Sequence, residues 1–276
     1  MKQKTKIIIF VCIILILIGL IILSGIIPKK NKNTNSVANT SSSPINNSSG
    51  GNENNLFVKI TYNSTSEVYS FEGTDKTITV YQDFPTVDAD DETVKNKIQT
   101  ELGKIANDEF EAYKNEVQKR IDNKAIDAVY MDYMGNLTLK WTFSNDRNDT
   151  KVVSVVNEST GGLGGVSWFA KKGYSFSSET GDRLTIKDIA INEEALKKYI
   201  NEEIVKYLRK NYQSLGIYPD LIDKLNEKVD IDNMNWYLSG NGITVCFESD
   251  SVSPDTFDYT IKYDELDGLV KSEYLK

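Results

Sequence analysis

The sequence predicts an α+β fold, with antiparallel sheets packed on two main helices and a single transmembrane helix preceding them at the N-terminus. Three observations support this prediction. Residues 7–27 form an apolar run without a charged side chain. Two later segments repeat apolar residues at helical spacing, and many shorter segments alternate apolar and polar residues as half-buried strands do. The order strands, helix, strands, helix, strands is typical of α+β domains rather than of a doubly wound parallel sheet.

The apolar run is long enough to cross a membrane. Its 21 residues make a helix of about 31 Å, close to the hydrocarbon thickness of about 30 Å. A cleaved signal peptide has a shorter apolar region followed by small residues at the cleavage site. Here the run is followed directly by Pro28 and Lys29, which is a poor cleavage context. We therefore expect an uncleaved anchor.

The charges beside the run favour a cytoplasmic N-terminus only slightly. Three lysines and the α-amino group precede it, and three lysines follow it within residues 29–32. A spacer rich in Asn and Ser before a folded domain is a common layout outside a bacterial cell. We expect a single-pass protein of the cell membrane with a cytoplasmic stub at 1–6, a span at 7–27, a disordered tether at 28–55 and an extracellular C-terminal domain.

The part beyond the tether is strongly acidic. The chain has 32 Lys and Arg and 40 Asp and Glu, and residues 1–55 hold six lysines and one acid, so residues 56–276 carry 26 − 39 = −13. This charge argues against nucleic acid and against an anionic membrane surface as partners. It favours a cationic partner, although a solvated acidic surface explains the same composition.

The residue types that are missing exclude several chemistries. The chain has no histidine and two cysteines, Cys12 in the apolar run and Cys246. Catalytic triads with histidine, zinc sites and a histidine pH switch are therefore excluded. Cys246 lies in an alternating segment and is expected to be a buried structural thiol. We predict no catalytic residue, no metal site and no cofactor, and expect that the protein is not an enzyme.

The first half of the domain predicts strands around one long helix. Residues 56–71 predict two short strands joined by a turn at Asn63 and Ser64, and residues 77–87 predict a strand that ends at Pro85 and Thr86. Apolar residues then recur at helical spacing from about 91 to 121, after an N-cap at Asp88 or Asp90. Further strands are predicted in three segments: 125–133, 137–143 and 152–157.

The second half predicts a glycine-rich connection, a helix and a closing set of strands. The segment 159–165 has four glycines but no Gly-Lys-Ser/Thr and no helix after it, so a phosphate cradle is not expected, and a glycine-rich connection or bulge beside a strand is. A strand at 166–177 follows, and Asn192 caps a helix at about 193–212. A short helical piece is expected at 221–225. The closing strands are predicted at 235–239, 243–248 and 257–263.

Several of these segments resemble known bacterial modules. The block TITVYQDFPTVDADDETVKNKIQTEL resembles the N-terminal, PdaC-like module of peptidoglycan deacetylases. The blocks VSWFAKKGYSFSSETGDRLTIKDIA, NWYLSGNGITVCFESDSVSP and FDYTIKYDEL resemble its partner module of unknown function. Together the two modules resemble the ectodomain of the anti-sigma-V factor, which senses lysozyme. The resemblance implies a PdaC-like module at 56–150 and a C-terminal module at 151–276.

The sequence departs from these relatives in three places. The catalytic domain of the deacetylases, with its metal-binding Asp and His, has no counterpart. Only six residues precede the span, so a sigma-binding segment is missing. Where the second module usually carries Gly-Gly-x-His, this chain has glycines and Leu163 but no histidine. The resemblance thus implies fold and topology more directly than an activity.

These observations lead to a binding module as the expected function. The ligand is expected to be a cationic wall-active protein such as lysozyme, or a cell-wall component such as peptidoglycan. The candidate contacts are Gly161, Gly162, Leu163 and Trp168, although Trp168 in a core and a simple turn explain them as well. The alternative is a carboxylate-based enzyme on cell-wall glycans, which needs two acids about 5–9 Å apart. A surface protein that binds another subunit is the third reading.

Overall fold

The computed structural model describes residues 58–163, 166–167 and 169–276. The predicted stub, membrane span and tether lie outside the described residues. Among the residues that are described, no helix is both long and apolar enough to cross a bilayer. The described part is an α+β fold whose sheets are mainly antiparallel, as the sequence predicts.

The strands form three sheets. A five-stranded sheet has the order β1-β2-β3-β4-β7, a three-stranded sheet has the order β10-β9-β8, and β5 pairs with β6 in a short hairpin. The described residues contain ten strands: β1 (Val58–Ser70), β2 (Thr77–Ala89), β3 (Leu137–Asn148), β4 (Val152–Thr160), β5 (Gly162–Leu163), β6 (Val166–Ser167), β7 (Ala170–Ser177), β8 (Asn235–Leu238), β9 (Gly242–Phe247) and β10 (Phe257–Lys262).

Two long helices pack on these sheets. The α-helices are α1 (Glu92–Asp122), α2 (Ala128–Met134), α3 (Ile186–Ile189), α4 (Glu193–Asn211) and α5 (Leu225–Lys228), and 3-10 turns occupy Pro219–Lys224, Ile231–Asn233, Tyr263–Glu265 and Ser272–Tyr274. The predicted helices match α1 and α4 closely. Asn192 caps α4 as predicted, but the N-cap of α1 is Asp91, whose carboxylate accepts hydrogen bonds from Thr93 N and Val94 N.

The first two strands form one long hairpin rather than the shorter pieces that the sequence predicts. No turn occurs at Asn63 and Ser64, because β1 pairs with β2 without interruption and the Ser64 hydroxyl donates to Asp83 on β2. Pro85 lies inside β2 rather than at its end. The carbonyl oxygen of Pro85 points away from β1 and accepts a hydrogen bond from Gln99. On that side of β2 the pairing with β3 ends at Gln82, so Pro85 has no strand partner there. The missing N–H of proline therefore interrupts no ladder.

The connection between β2 and β3 departs most from the prediction. Residues 125–133 are not a strand, since Ala128–Met134 form α2 with Asp127 as the N-cap. The strands β2 and β3 are parallel, and they form the one parallel pair among the described strands. Parallel neighbours need a long crossover, which α1 and α2 provide here. The predicted all-antiparallel arrangement is corrected at this pair.

The five-stranded sheet extends across the module boundary that the sequence predicts. The boundary at 150/151 falls in the turn between β3 and β4, and these two strands pair with each other. The core under α1 includes Val94, Ile98, Leu102 and Ala106 from the helix, packed against side chains of both predicted modules. Val153 and Phe176, from the second module, belong to this same core.

A second core lies between α4 and the three-stranded sheet. Leu196, Ile200 and Ile204 of α4 are fully buried there against apolar residues of β8, β9 and β10. The unit formed by α4 and the three-stranded sheet contacts the five-stranded sheet where β8 runs beside β7. Leu238 N donates to the Ser175 hydroxyl at 2.8 Å across this junction. Cys246 is buried beside it, as predicted, and burial raises the pKa of its thiol to about 12.

A buried arginine at the end of β3 forms hydrogen bonds with the C-terminal segment. Arg147, at a β-bulge, is 3 % exposed and forms an ion pair with Asp149, with Nε and Oδ2 2.6 Å apart. Its Nη1 donates to the Tyr263 hydroxyl at 2.5 Å and to the Tyr274 carbonyl oxygen at 2.9 Å. The Tyr263 hydroxyl in turn donates to Ser239 O. One side chain therefore connects the five-stranded sheet, the turn after β8 and the C-terminal segment.

We expect this ion pair to contribute to acid sensitivity. Burial raises the pKa of Asp149, but the hydrogen bonds from Arg147 and from the Lys151 and Val152 N–H groups outweigh burial, and the pKa lies below its ordinary value. A lowered carboxyl pKa stabilises the fold above the unfolded value of about 3.9, and this stability is lost as the pH falls through the folded value. In urea denaturation between pH 5 and pH 2, Asp149→Asn should show a smaller decrease of the unfolding free energy. Parallel curves for variant and wild type would contradict the assignment.

Candidate functional site

The candidate site is a polar cluster between the middle of α1 and the five-stranded sheet. We call it the Lys172 cluster, and it consists of Gln82, Glu109, Tyr113, Trp141, Asn157, Ser159 and Lys172. Lys172 Nζ lies 2.9 Å from Glu109 Oε1 and 5.6 Å from the centroid of the Trp141 ring. The Tyr113 ring packs against the same indole, with centroids 5.5 Å apart. Tyr113 of α1 and Lys172 of β7 therefore both lie beside the Trp141 ring.

The sheet register explains why these side chains share one face. Trp141 on β3 is paired with Gln82 on β2 and with Ser159 on β4. Asn157 lies two residues before Ser159 and therefore points to the same side of the sheet. Its partner on β7 is Lys172. Gln82 and Ser159 are thus direct neighbours of Trp141 on this face and Asn157 is a diagonal one, while β3 separates the two amides.

Several polar atoms of the cluster are buried without a hydrogen-bond partner. Asn157 and Gln82 are fully buried and Trp141 is 3 % exposed. Both amide atoms of Asn157, Oε1 of Gln82 and Nε1 of Trp141 lack a partner. Burying such atoms unpaired costs free energy. Since most buried polar atoms in proteins are paired, this concentration distinguishes the cluster from an ordinary core.

The rim of the cluster is acidic. Lys172 Nζ also lies 3.8 Å from Glu248. On this face the carboxylates of Glu109 and Glu248 therefore lie beside one ammonium group. The adjacent Lys171 points to the other face of β7, where it lies 2.5 Å from Asp258 and 3.5 Å from Glu158. Side chains of these rim residues are partly exposed, from 19 % for Glu109 to 52 % for Glu248. The rim presents excess negative charge to solvent.

The glycine-rich segment lies next to this cluster. Gly161 has φ +137°, and a Cβ there would lie 2.5 Å from Thr138 O on β3, so glycine is required by a close approach. Gly162 and Gly161 are half-buried. The Leu163 side chain is 1 % exposed and belongs to a separate core with Phe110 and Val117 of α1, so it is not exposed for contact. Its carbonyl oxygen accepts a hydrogen bond from Arg120. Trp168 lies outside the described residues.

Gly161 follows β4 directly and lies close to Leu139, two residues along β3 from Trp141, and Gly162 begins β5. Gly162 and Leu163 form β5, which pairs with β6, so the predicted connection is partly a strand, and Gly164 and Gly165 lie outside the described residues. Ligand contact by this segment stays a prediction. Phe169, which follows the hairpin, is 51 % exposed, and its carbonyl oxygen accepts from the Thr256 hydroxyl.

A second, open cleft of about 580 Å³ lies at the start of α1 and is lined partly by Lys97, Glu101, Asp182 and Arg183. Both of its carboxylates are in ion pairs, Asp182 with Lys97 at 2.7 Å and Glu101 with Arg183 at 3.5 Å. The hydrogen bond from Lys97 lowers the pKa of Asp182. A glycosidase acid needs a raised pKa. The pKa of Asp182 is shifted in the opposite direction.

Acidic residues at two further turns have structural roles. Asp91 caps α1, and Asp230 caps the 3-10 turn that contains Asp232, whose N–H it accepts at 3.2 Å. Within the described residues no group of three or more His, Cys, Asp or Glu is placed to hold a metal ion.

Sequence reasoning missed the Lys172 cluster. A local signal was present in β4, where the run VVSVVNEST places the polar Asn157 and Ser159 on the alternation of Val153 and Val155. A polar residue on a core-facing alternation indicates either a pairing partner or a site. Glu109 and Lys172, 63 positions apart, carry no such signal.

Two solved structures resemble this chain. A member of the DUF3298 family from Bacteroides fragilis matches with a TM-score of 0.52 and 13% identity, over 80% of this chain and 96% of that chain. A DUF3298 family protein from Pseudomonas aeruginosa matches with a TM-score of 0.49 and 13% identity over the same shares. No family model and no curated protein matches the sequence. At this identity the likeness concerns the fold, and the structural neighbours of the chain are DUF3298 family proteins.

Proposed function

We propose that the protein is a membrane-anchored extracytoplasmic binding module that captures a cationic wall-active protein of the lysozyme type, without catalysis of its own. The observation that carries the proposal is the acidity of the folded part, −13 over residues 56–276 by the count above. The resemblance to the lysozyme-sensing ectodomain supports the same ligand. A cell-wall component is the other ligand that the sequence suggests.

The acidity is concentrated on the unit that carries the three-stranded sheet. Residues 229–261 contain six acids and neither lysine nor arginine. The acids are Asp230, Asp232, Glu248, Asp250, Asp255 and Asp258. Most of them are exposed, and Glu248 belongs to the rim of the Lys172 cluster. Clustered exposed charge of one sign accelerates the encounter with an oppositely charged protein.

We expect the immobilised full-length protein, purified in detergent, to retain lysozyme at about 20 mM salt and to lose at least about tenfold in affinity at 500 mM, because salt screens exposed charges. Biolayer interferometry measures both rates. The triple variant Glu248→Gln, Asp250→Asn, Asp255→Asn should associate about tenfold more slowly.

The matched control removes the same charge elsewhere. Asp264→Asn, Glu265→Gln and Asp267→Asn lie after β10 and are exposed, and this triple variant should change the association rate by less than about threefold. Equal losses in the two triple variants would contradict a local capture surface. Absence of retention at low salt, or equal retention of cytochrome c, would remove lysozyme as the ligand.

A further inference from the structure

The Lys172 cluster places an amine, a carboxyl group and a carboxamide side by side. Lys172 Nζ lies 2.9 Å from Glu109 Oε1. Asn157 lies directly opposite Lys172 in the antiparallel pairing of β4 and β7, so both side chains project from the same face of the sheet. A lysine amine is a nucleophile once an adjacent base within hydrogen-bond reach removes its proton. These are the three groups that an amide cross-link between two side chains requires.

The carboxamide of Asn157 is isolated from other polar groups. The residue is fully buried, and neither Nδ2 nor Oδ1 has a hydrogen-bond partner. An apolar side chain at this position would avoid the free energy that the two unpaired atoms cost. Because water is excluded from its carbonyl carbon, the amine on the neighbouring strand is the nucleophile best placed to attack it.

The separation between the two strands suits such a reaction. Directly opposed residues of an antiparallel pair have Cβ atoms about 4.5–5.5 Å apart. The four bonds from Cβ to Nζ of a lysine span about 5 Å in the staggered conformation, and Cγ of an asparagine is one bond from its Cβ. Lys172 Nζ therefore reaches Asn157 Cγ by rotation of its own side chain, while the strands stay paired.

We propose that Lys172 and Asn157 form an intramolecular isopeptide bond, with Glu109 as base and then acid. The Glu109 carboxylate accepts one proton from the Lys172 ammonium group along their 2.9 Å contact. The neutral amine attacks Asn157 Cγ, so that a C–N bond forms and the carbonyl electron pair moves to Oδ1. Trp141, the diagonal neighbour of Asn157, carries an unpaired Nε1–H on this face that can donate to Oδ1 as its charge develops.

The bond between Cγ and Nδ2 of Asn157 then breaks as the carbonyl group forms again. The Nδ2 atom leaves as ammonium with two of the three protons of the Lys172 ammonium group, one of them delivered by Glu109. The third proton stays on the new amide nitrogen, and Glu109 returns to the carboxylate. The reaction consumes no oxidant and no further reactant. Its product no longer contains the unpaired Nδ2, and the new N–H can donate to Glu109.

The cross-link would secure the strand at the junction of the two sheets. It joins β4 to β7, and Gly173 of β7 is hydrogen-bonded through both its N–H and its carbonyl oxygen to the Asn235 side chain. Cys246 is the one cysteine among the described residues, so no disulfide secures these strands there. A covalent link between β4 and β7 restricts the unfolded chain as a disulfide does. This inference does not depend on the proposed capture of a cationic protein.

The test is the mass of the full-length protein, purified in detergent and measured after denaturation. Wild type should be about 17 Da lighter than its sequence, because one ammonia is lost. Lys172→Arg keeps the positive charge beside Glu109, but its guanidinium group stays protonated and does not attack an amide. This variant should therefore have the mass of its sequence.

Peptide analysis locates the bond. Trypsin cleaves after Lys151, Lys171 and Arg183. The bond should therefore join peptides 152–171 and 172–183 of wild type in one branched product, whereas peptide 152–171 should be released by itself from the variant Lys172→Arg.

Two further variants test the role of each group. Glu109→Gln keeps both reacting side chains but removes the base, and it should lower the cross-linked fraction at least about tenfold. Lys171→Arg makes the matched substitution on the other face of β7 and should leave the cross-linked fraction within about twofold.

Three results would overturn the isopeptide bond. They are a wild-type mass equal to that of the sequence, absence of the branched peptide, and a loss of ammonia that persists in Lys172→Arg, which would indicate cyclisation of another asparagine. If Lys172→Arg fails to fold, the branched peptide of wild type decides the question alone. Lysozyme retention has no bearing on any of these measurements, so the two proposals fail separately.

Discussion

Adding one methyl group at Gly173 is expected to lower the free energy of unfolding by about 3 kcal/mol, at the upper end of the usual cost of overpacking. A Cβ at this position would lie 2.0 Å from Cδ1 and 2.3 Å from Cγ of the Tyr237 ring. Tyr237 is itself 3 % exposed and cannot move into solvent without opening the junction between the two sheets. Gly173 is further held by Asn235, whose Oδ1 accepts from Gly173 N at 2.7 Å.

The effect of Gly173→Ala is measured by urea denaturation, with Gly103→Ala as the control. At Gly103, inside α1, a Cβ would meet only Gln99 Nε2 at 3.7 Å. The control should therefore stabilise the protein by about 0.5–1 kcal/mol through helix propensity. Adding Tyr237→Leu to Gly173→Ala should cost less than the sum of the two single changes, because the ring that causes the clash is removed. Strict additivity, or a cost below about 0.5 kcal/mol for Gly173→Ala, would contradict the close packing.

The second large effect is expected at Arg147. Arg147→Met retains the length of the side chain but removes the ion pair with Asp149 and the donors to Tyr263 and Tyr274. Removing one partner of a buried ion pair costs about 3–5 kcal/mol. Because the Asp149 side chain is 30 % exposed and recovers some hydration, we expect about 3 kcal/mol. Thermal unfolding followed by circular dichroism measures the change.

An exposed ion pair provides the control for Arg147. Lys151 Nζ and Glu179 Oε1 lie 2.5 Å apart, and the two side chains are 40 % and 49 % exposed. Lys151→Met should lower the free energy of unfolding by at most about 0.5 kcal/mol. Arg147→Met should also increase the hydrogen exchange of amides near Tyr274, since the contact that holds the C-terminal segment is lost. Equal costs in the two variants would show that the Arg147 network contributes no more than a surface pair.

Local sequence signals were sufficient for the two long helices. The recurrence of Val94, Ile98 and Leu102 defines the buried face of α1, and the Asn192 cap defines the start of α4. These signals act within one or two helical turns, so they need no knowledge of distant partners. The closing strands around Cys246 were likewise readable, because short runs of β-branched and aromatic residues bounded by turn residues indicate strands, although β9 is buried on both faces.

The same reasoning failed where a distant partner decides the conformation. Asn63 and Ser64 look like a turn, yet pairing with β2 keeps β1 extended. Residues 128–134 carry a weak alternation, but the Asp127 cap makes them helical. In each case the local preference is small, and tertiary contacts override small preferences.

The sequence by itself determined the α+β class, the two main helices and the acidity of the folded part. Periodicity and caps depend on residues close together in the chain, and the net charge depends on composition alone. Only the tertiary structure decided that β2 and β3 run parallel, that Gly173 admits the Tyr237 ring, and that the unpaired amide of Asn157 meets Trp141 and Lys172 under α1. These features depend on strand register, and register is set by pairing between segments far apart in the chain.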